Sequence, residues 1–170
     1  GYLSHQAGTC GLHVHVSRKA FGDTLDAQDN AIARVLFFVE RHWAELLRFS
    51  RRTQRQLEQW AARYGYRDRP GEMLEHVKKG HGSRYTCVNL TNADTIEFRM
   101  FRGTLKPNTL IATLQLVDHI CDAAIFMSDD ELHDLPWSSF VSAIKEPELV
   151  QYLKERNLYI NEPVEAEGEV

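Results

Sequence analysis

The chain has 170 residues, of which 43% are hydrophobic and 26% charged, and its formal net charge is −4. This length suits one domain with a hydrophobic core and is short for two, and the composition is ordinary for a soluble globular protein. No uninterrupted apolar run reaches the roughly 20 residues that a membrane-spanning helix needs, because the longest candidate contains Asp118, His119 and Asp122. We therefore predict no membrane contact.

The cysteines Cys10, Cys87 and Cys121 are odd in number and far apart, without a CxxC pair. This spacing argues against a disulfide framework and favours reduced thiols in a cytosolic protein. The chain begins at Gly1 with neither an initiator methionine nor a signal peptide, which indicates a piece of a longer, cytoplasmic protein.

Charge is unevenly distributed along the chain. Residues 41–84 contain 11 Lys/Arg against 5 Asp/Glu, whereas residues 85–170 contain 6 against 15. A basic segment of this kind could attract phosphate groups or nucleic acid, and a solvated helix face is the simpler explanation. Trp43, Trp60 and Tyr64 lie in this segment at helical spacing, which is more typical of a core than of a base-stacking surface. We predict no nucleic-acid partner.

The first predicted element is a strand from Cys10 to Ser17. Its apolar residues at positions 12, 14 and 16 alternate with His13 and His15, so one face is apolar and the other carries two imidazoles. Gly8 and Gly11 indicate a close backbone approach or a bulge.

Two helices follow in the prediction. Apolar residues at three- and four-residue steps predict a long helix from about Asp26 to Phe49, and a second runs from Gln54 to Tyr64 and stops at Gly65. The segment from Tyr66 to Ser83 is charged, glycine-rich and poorly periodic, so it is predicted to be mainly loop and a candidate mobile flap.

A hairpin is predicted next, with strands at Arg84–Leu90 and Thr95–Arg102. Alternation along the second strand predicts that two sets of side chains face opposite ways. The first set is Ile96, Phe98 and Met100, and the second is Glu97, Arg99 and Phe101.

The remaining chain is predicted to be helical. Pro107 suits the first turn of a helix running to about Met127, and shorter helices follow near Trp137–Lys145 and Pro147–Arg156. Residues 161–170 are acidic and form a predicted disordered tail or linker. This order of elements predicts one α+β domain over residues 1–160, with an antiparallel β-sheet packed with long helices.

Two pairs of polar residues on the predicted strands could carry chemistry. His13 and His15 share one strand face, where neutral imidazoles can ligate a divalent metal or serve as structural hydrogen-bonding groups. Glu97 and Arg99 lie in an apolar strand, where charge must be paired, metal-bound or solvated in a cleft. A simple ion pair of Glu97 with Arg99 or Arg84 is the alternative explanation.

Together the two pairs fit a metal–phosphate site ringed by Arg84, Arg99 and Arg102. Mg²⁺ prefers oxygen ligands, so Glu97 suits it better than the histidines do, and arginines can bind phosphate oxygens in bidentate fashion. No Walker or GxGxxG motif is present. A nucleotide would therefore lie on a sheet face and not at a helix N-terminus.

Two segments resemble motifs of the glutamine synthetase-like carboxylate–amine ligases, especially the amidoligases of bacteria and phages. Residues 8–17 (GTCGLHVHVS) resemble their glycine-led HVH strand, and residues 84–105 (RYTCVNL…TIEFRMFRGTL) resemble their E-x-R strand. The resemblance covers about residues 8–120. It implies ATP-dependent amide or peptide bond formation through an acyl phosphate, with Mg²⁺ or Mn²⁺, on a small amino acid or peptide substrate. It also allows a homo-oligomer, since relatives of the fold often share sites between subunits.

The resemblance implies a role for each matching residue. His13 corresponds to a metal-ligating histidine, and Glu97 to the carboxylate that shares this metal. His15, Asn89 and Arg102 would lie near the nucleotide, the first of them beside its phosphates.

Catalytic roles fall on Glu97, Arg84 and Arg99. Arg99 would touch nucleotide phosphate or stabilise the transferred phosphoryl group, and Arg84 would face the same pocket. In the family an acidic E-x-E pair from an early strand completes the metal cluster, and the first twelve residues here contain no Asp or Glu. The chain therefore corresponds to the C-terminal portion of such a domain, and we expect it to bind Mg–ATP poorly and not to turn over alone.

Two other function classes stay open at the level of sequence. His13, His15 and Glu97 also suit a mononuclear metal hydrolase or oxygenase that uses zinc or non-haem iron. The basic segment 41–84 suits a non-enzymatic module that binds nucleic acid, whose affinity would fall steeply with salt.

Overall fold

The computed structural model describes residues 10–80 and 84–160. This part of the chain is α+β, as the sequence predicts, with eight α-helices and a three-stranded antiparallel sheet. The elements in chain order are β1 (Gly11–Ser17), a 3-10 turn (Arg18–Phe21), α1 (Leu25–Arg41), α2 (Trp43–Ser50), α3 (Gln54–Trp60), α4 (Pro70–Lys79), β2 (Val88–Asn89), β3 (Thr95–Arg102), α5 (Pro107–Phe126), α6 (Asp129–Asp134), α7 (Trp137–Ser142) and α8 (Pro147–Glu155).

The sheet has the order β1-β3-β2, and both outer strands run antiparallel to β3. The predicted hairpin is present, but its first strand is confined to Val88–Asn89 and does not cover Arg84–Leu90. The reason is that part of this stretch bonds elsewhere: the N–H of Cys87 donates to the carbonyl of Ala62, and the carbonyl of Tyr85 accepts from the N–H of Ala62.

A bulge in β3 changes which side chains share a face. Leu12 pairs with Phe101 and Val14 with Phe98, so two steps along β1 match three steps along β3. Because directly opposed residues project to the same face, Phe101 lies with Phe98 on the apolar face. The prediction that Phe101 faces the same way as Glu97 is therefore wrong, since strict alternation does not allow for an inserted residue.

The predicted helix from Asp26 to Phe49 is two helices, α1 and α2, separated at His42. The backbone of His42 leaves the helical region (φ −105°, ψ 31°), and its ring packs between Phe38 and Trp137. The apolar periodicity continues across this break because a single non-helical residue scarcely shifts it.

The second predicted helix ends earlier than expected, at Trp60 and not at Tyr64. The chain leaves the helix because Glu40, a buried carboxylate of α1, accepts hydrogen bonds from the backbone N–H groups of Tyr64 and Gly65. These hydrogen bonds to Glu40 take the place of the helical hydrogen bonds that would continue α3.

The segment predicted as a flap contains a regular helix, α4, so the loop prediction is wrong for residues 70–79. Pro70 occupies the first turn, and Met73 and Val77, one turn apart, are buried among the core side chains. Two apolar residues were too few to give a periodic signal. Residues 81–83 of the predicted flap lie outside the described part of the chain.

The C-terminal helices agree with prediction apart from α6, which the sequence analysis missed. A capping box between Ser128 and Glu131 begins α6, and this S-x-x-E spacing was its available signal. The tail at residues 161–170, like Gly8 of the first motif, lies outside the described residues.

Helix α5 is long and apolar enough to cross a membrane, a test that the core helices of globular folds also pass. About half of it is buried against its neighbours, and Leu116 and Ile120 are fully buried in the core formed with α1 and α8.

The three cysteines are free thiols, and burial raises the pKa of Cys87 and of Cys121 to about 12.

Replacing Met73 tests the assignment of α4. Met73→Ala should lower the free energy of unfolding by about 2–5 kcal/mol, because it empties a fully buried position. Gly71→Ala should raise it by about 0.5–1 kcal/mol, since Gly71 is helical and an added Cβ would meet no atom within 4 Å. Urea unfolding measures both, and a neutral Met73→Ala would contradict a packed α4.

His42 should make stability depend on pH. Burial, assisted by the charge of Arg41, lowers its pKa to about 4. The unfolded chain binds a proton near pH 6.5 and the folded chain only near pH 4, so the free energy of unfolding should fall by about 3 kcal/mol as pH drops through this window. The free energy of unfolding of the wild type should fall relative to that of His42→Leu as pH drops from 6.5 to 4. If the difference between the two free energies stays constant over this range, the prediction is wrong.

Candidate functional site

One face of the sheet, here called the polar face, collects polar side chains from all three strands. His15 of β1 and Asn89 of β2 lie directly opposite Glu97, from either side of the central strand β3. Because opposed residues project to the same face, the strand register brings these groups to Glu97. His13 and Arg99 lie one pleat further along, also on this face.

The carboxylate of Glu97 is the centre of this cluster and is only 4% exposed. Its Oε1 lies 2.9 Å from His13 Nδ1, 3.6 Å from His15 Nε2 and 3.0 Å from Arg99 Nη1. Its Oε2 accepts a 2.9 Å hydrogen bond from Asn89 Nδ2. The structure therefore brings together five of the residues predicted from sequence.

Electrostatics keep Glu97 ionised. Burial acts to raise its pKa, but the hydrogen bond from Asn89 and the charges of Arg99, His13 and His15 outweigh burial, and the pKa lies below its usual value. For His13, burial and the neighbouring Arg99 lower the pKa in spite of Glu97. A neutral imidazole beside an ionised carboxylate is a suitable pair of donor groups for a divalent cation.

Arg84 lies apart from this cluster. Its guanidinium sits 4.9 Å from the ring centroid of Tyr85 and donates to the Tyr85 hydroxyl over 2.7 Å. Arg99 approaches the same ring, at 5.8 Å. Tyr85 thus connects the two arginines, and sequence analysis missed this role because an aromatic residue next to an arginine is too common a pattern to signal it.

Arg102 reaches the polar face because of the bulge. Arg102 pairs with Gly11, and Gly11 lies on the same face of β1 as His13. Without the bulge, regular alternation along β3 would place Arg102 on the face opposite Arg99. The absence of a side chain at Gly11 also makes room for the guanidinium of Arg52. A Cβ there would lie 2.6 Å from Arg52 Nη2 and 3.1 Å from His13 Nε2. A side chain at this position would displace the end of Arg52 and crowd the ring of His13.

The aromatic residues of the basic segment are not arranged as a base-stacking surface. Trp43 is buried and its Nε1–H donates to Gln54. The hydroxyl of Tyr64 lies 2.9 Å from both the Thr86 hydroxyl and the Val88 carbonyl, and it can donate its one proton to either. Trp60 packs edge-on against Tyr85. These contacts agree with their interpretation as packing residues.

A metal ion would find two protein ligands on the polar face. In residues 10–80 and 84–160, no three His, Cys, Asp or Glu side chains are grouped to hold a metal. His13 Nδ1 and Glu97 Oε1 are 2.9 Å apart and hydrogen-bonded, so a metal ion held by both would have to replace this hydrogen bond. Such a pair suits Mg²⁺, which keeps several waters and binds phosphate oxygens, better than a structural zinc, which needs four protein ligands.

Comparisons of the chain with protein-family models, with curated proteins and with solved structures found no match.

Asn89 should contribute to stability through Glu97. Asn89→Ala removes the donor to Glu97 Oε2 and also the acceptor for the N–H of Thr91, so it should lower the free energy of unfolding by about 1–3 kcal/mol. Asn92→Ala is the matched control, because Asn92 accepts from Arg18 through its backbone oxygen. Equal urea midpoints for the two variants would contradict this role.

Proposed function

We propose that this chain supplies part of the active site of an ATP-dependent carboxylate–amine ligase, with the polar face as the metal and phosphate site. The environment of Glu97 is the observation that carries the proposal. A structural ion pair would need Arg99 alone, whereas this carboxylate also has two imidazoles and an amide within reach. The imidazoles are 37% and 51% exposed, so solvent and ligands can reach them.

In this proposal Glu97 and His13 hold Mg²⁺ or Mn²⁺, which when bound neutralises phosphate charge. Asn89 holds Oε2, so that Oε1 stays directed at His13. Arg99 contacts the same Oε1, and a metal ion at this oxygen would have to replace that contact. His15, 3.6 Å from the same oxygen, lies beside the place where nucleotide phosphates would sit.

Arg99 is the residue to which we assign phosphoryl stabilisation. Its side chain is 13% exposed, and its Nε is buried with no hydrogen-bond partner within the described residues. The carboxylate of Glu97 fixes the position of this guanidinium. A cation held in a fixed position would stabilise the charge that develops on a transferred phosphoryl group.

The proposed reaction has two displacements. A carboxylate oxygen of the donor attacks the γ-phosphorus of ATP, the bond to the bridging oxygen breaks, and ADP leaves from an acyl phosphate. The amine nitrogen then attacks the acyl carbon, phosphate leaves with the bonding electrons, and the nitrogen loses a proton as the amide forms. The polar face acts through position and charge at both steps.

Turnover of the natural full-length protein tests the proposal. With Mg²⁺, ATP and a mixture of amino acids and dipeptides, we expect ADP release that depends on both a carboxylate and an amine. Glu97→Gln and His13→Ala should each lower this rate at least about 100-fold, because each removes a metal ligand.

Glu75→Gln is the matched control for the loss of charge, since Glu75 is exposed on α4 and contacts Lys79 at 3.9 Å. Circular dichroism and urea unfolding establish that each variant folds. Normal turnover in Glu97→Gln or His13→Ala would remove the site assignment. Failure of the wild-type protein to bind ATP would remove the function itself.

A further inference from the structure

A second basic feature adjoins the polar face and has no part in the reaction described so far. Five arginines, which we call the arginine pocket, line a cavity of about 620 Å³ together with Ala44 and Leu47. They are Arg48, Arg51, Arg52, Arg102 and Arg156. The cavity is wide open to solvent, so a ligand bound there would stay partly exposed.

The pocket and the polar face meet at Gly11. Arg52 passes over Gly11 and donates to the carbonyl of Cys10 over 3.0 Å, and Arg102 pairs with Gly11 across the sheet. The charges of Arg102 and Arg99 act with burial to lower the pKa of Arg52, so the cations on both sides are close enough to interact. A ligand in the pocket would therefore lie beside the phosphate site.

Four of the five arginines carry positive charge without a paired carboxylate among the described residues. Arg48, Arg51, Arg52 and Arg156 form no ion pair with an acidic side chain anywhere in residues 10–80 and 84–160. Other basic residues of the same segment do have such partners: Arg63 binds Glu40 and Lys78 binds Asp29. Unpaired guanidiniums at close range repel one another, and a bound anion would remove that cost.

Backbone carbonyls hold these guanidiniums in place without neutralising them. Arg51 donates to the carbonyl of Arg102 over 2.8 Å, and Arg156 donates twice to that of Arg48. The Nε of Arg51 and of Arg52 are buried and have no hydrogen-bond partner among the described residues, and Arg52 is only 9% exposed. The unpaired Nε groups add to the cost of holding these two cations inside the protein, a cost that a bound anion would lower.

The backbone of Arg51 supports the same conclusion. It ends α2 in the left-handed region (φ 59°), where glycine or asparagine is the usual residue. An arginine rarely adopts this conformation, and here its side chain donates to the carbonyl of Arg102.

We infer that the arginine pocket binds a multiply charged oxyanion group of the substrate, either adjacent carboxylates or a phosphoryl group. This inference rests on the proposed function, because it assigns the pocket to a substrate of that ligase and makes this substrate polyanionic. Guanidiniums such as those of Arg48 and Arg156 can form bidentate pairs with either type of group.

Isothermal titration calorimetry with simple probes tests the pocket without nucleotide or metal. Tricarballylate and pyrophosphate are titrated separately at constant ionic strength. We expect saturable binding of at least one probe, weakened about tenfold or more in Arg48→Gln and in Arg156→Gln, since each loses charge-assisted hydrogen bonds. Tighter binding of tricarballylate would identify a substrate with adjacent carboxylates, and tighter binding of pyrophosphate would identify a phosphorylated substrate.

Arg55→Gln is the matched control, because Arg55 is exposed on α3 outside the pocket. It should bind like wild type, and Glu97→Gln should keep binding while losing turnover, so the pocket and the catalytic proposal can fail independently. Equal affinity in Arg48→Gln, Arg156→Gln and Arg55→Gln would overturn the inference. Displacement of the probe by saturating Mg–ATP would also overturn the inference, because it would show that the pocket binds the nucleotide.

Discussion

The buried carboxylate of Glu97, in the central strand, is the interaction on which the rest of the site depends. A carboxylate that is 4% exposed costs several kcal/mol unless its oxygens are satisfied. Its partners come from every strand of the sheet, so the carboxylate specifies the register of both strand pairs. A one-residue slip of β1 would turn His15 away from it, and the same slip of β2 would turn Asn89 away. The group that stabilises the sheet is thus also the group best placed for chemistry.

Two local irregularities give this region its surplus of positive charge. The bulge in β3 turns Arg102 onto the polar face, and the missing side chain of Gly11 lets Arg52 close over the strand. Glu97 pairs with Arg99, and among the described residues Arg52 forms no ion pair with a carboxylate. The remaining positive potential extends from the metal–phosphate site into the arginine pocket. Both proposals therefore follow from one charge distribution, in which oxyanions are the expected ligands.

Much of the site could be predicted from sequence because period-two alternation fixes faces on a strand. His13 and His15 were placed together in this way, as were Glu97 and Arg99, and the structure brings all four into contact. The bulge at residues 99–101 could not be predicted, since an inserted residue leaves the local pattern intact and is decided by pairing with a distant strand. The end of α3 could not be predicted either, because it depends on hydrogen bonds to the buried carboxylate of Glu40, which belongs to another helix. The arginine pocket joins residues about 100 positions apart, which no local motif reports.

The most direct test of the central claim is where a paramagnetic ion binds. Mn²⁺ added below stoichiometric amounts, with ATP present, should broaden the imidazole NMR signals of His13 and His15, because paramagnetic broadening falls steeply with distance. His119, paired with Glu146, and His133, beside Asp134, provide internal controls away from the sheet. Selective broadening of the first pair is the result that this account predicts. Uniform broadening of all four, or none at the polar face, would contradict it.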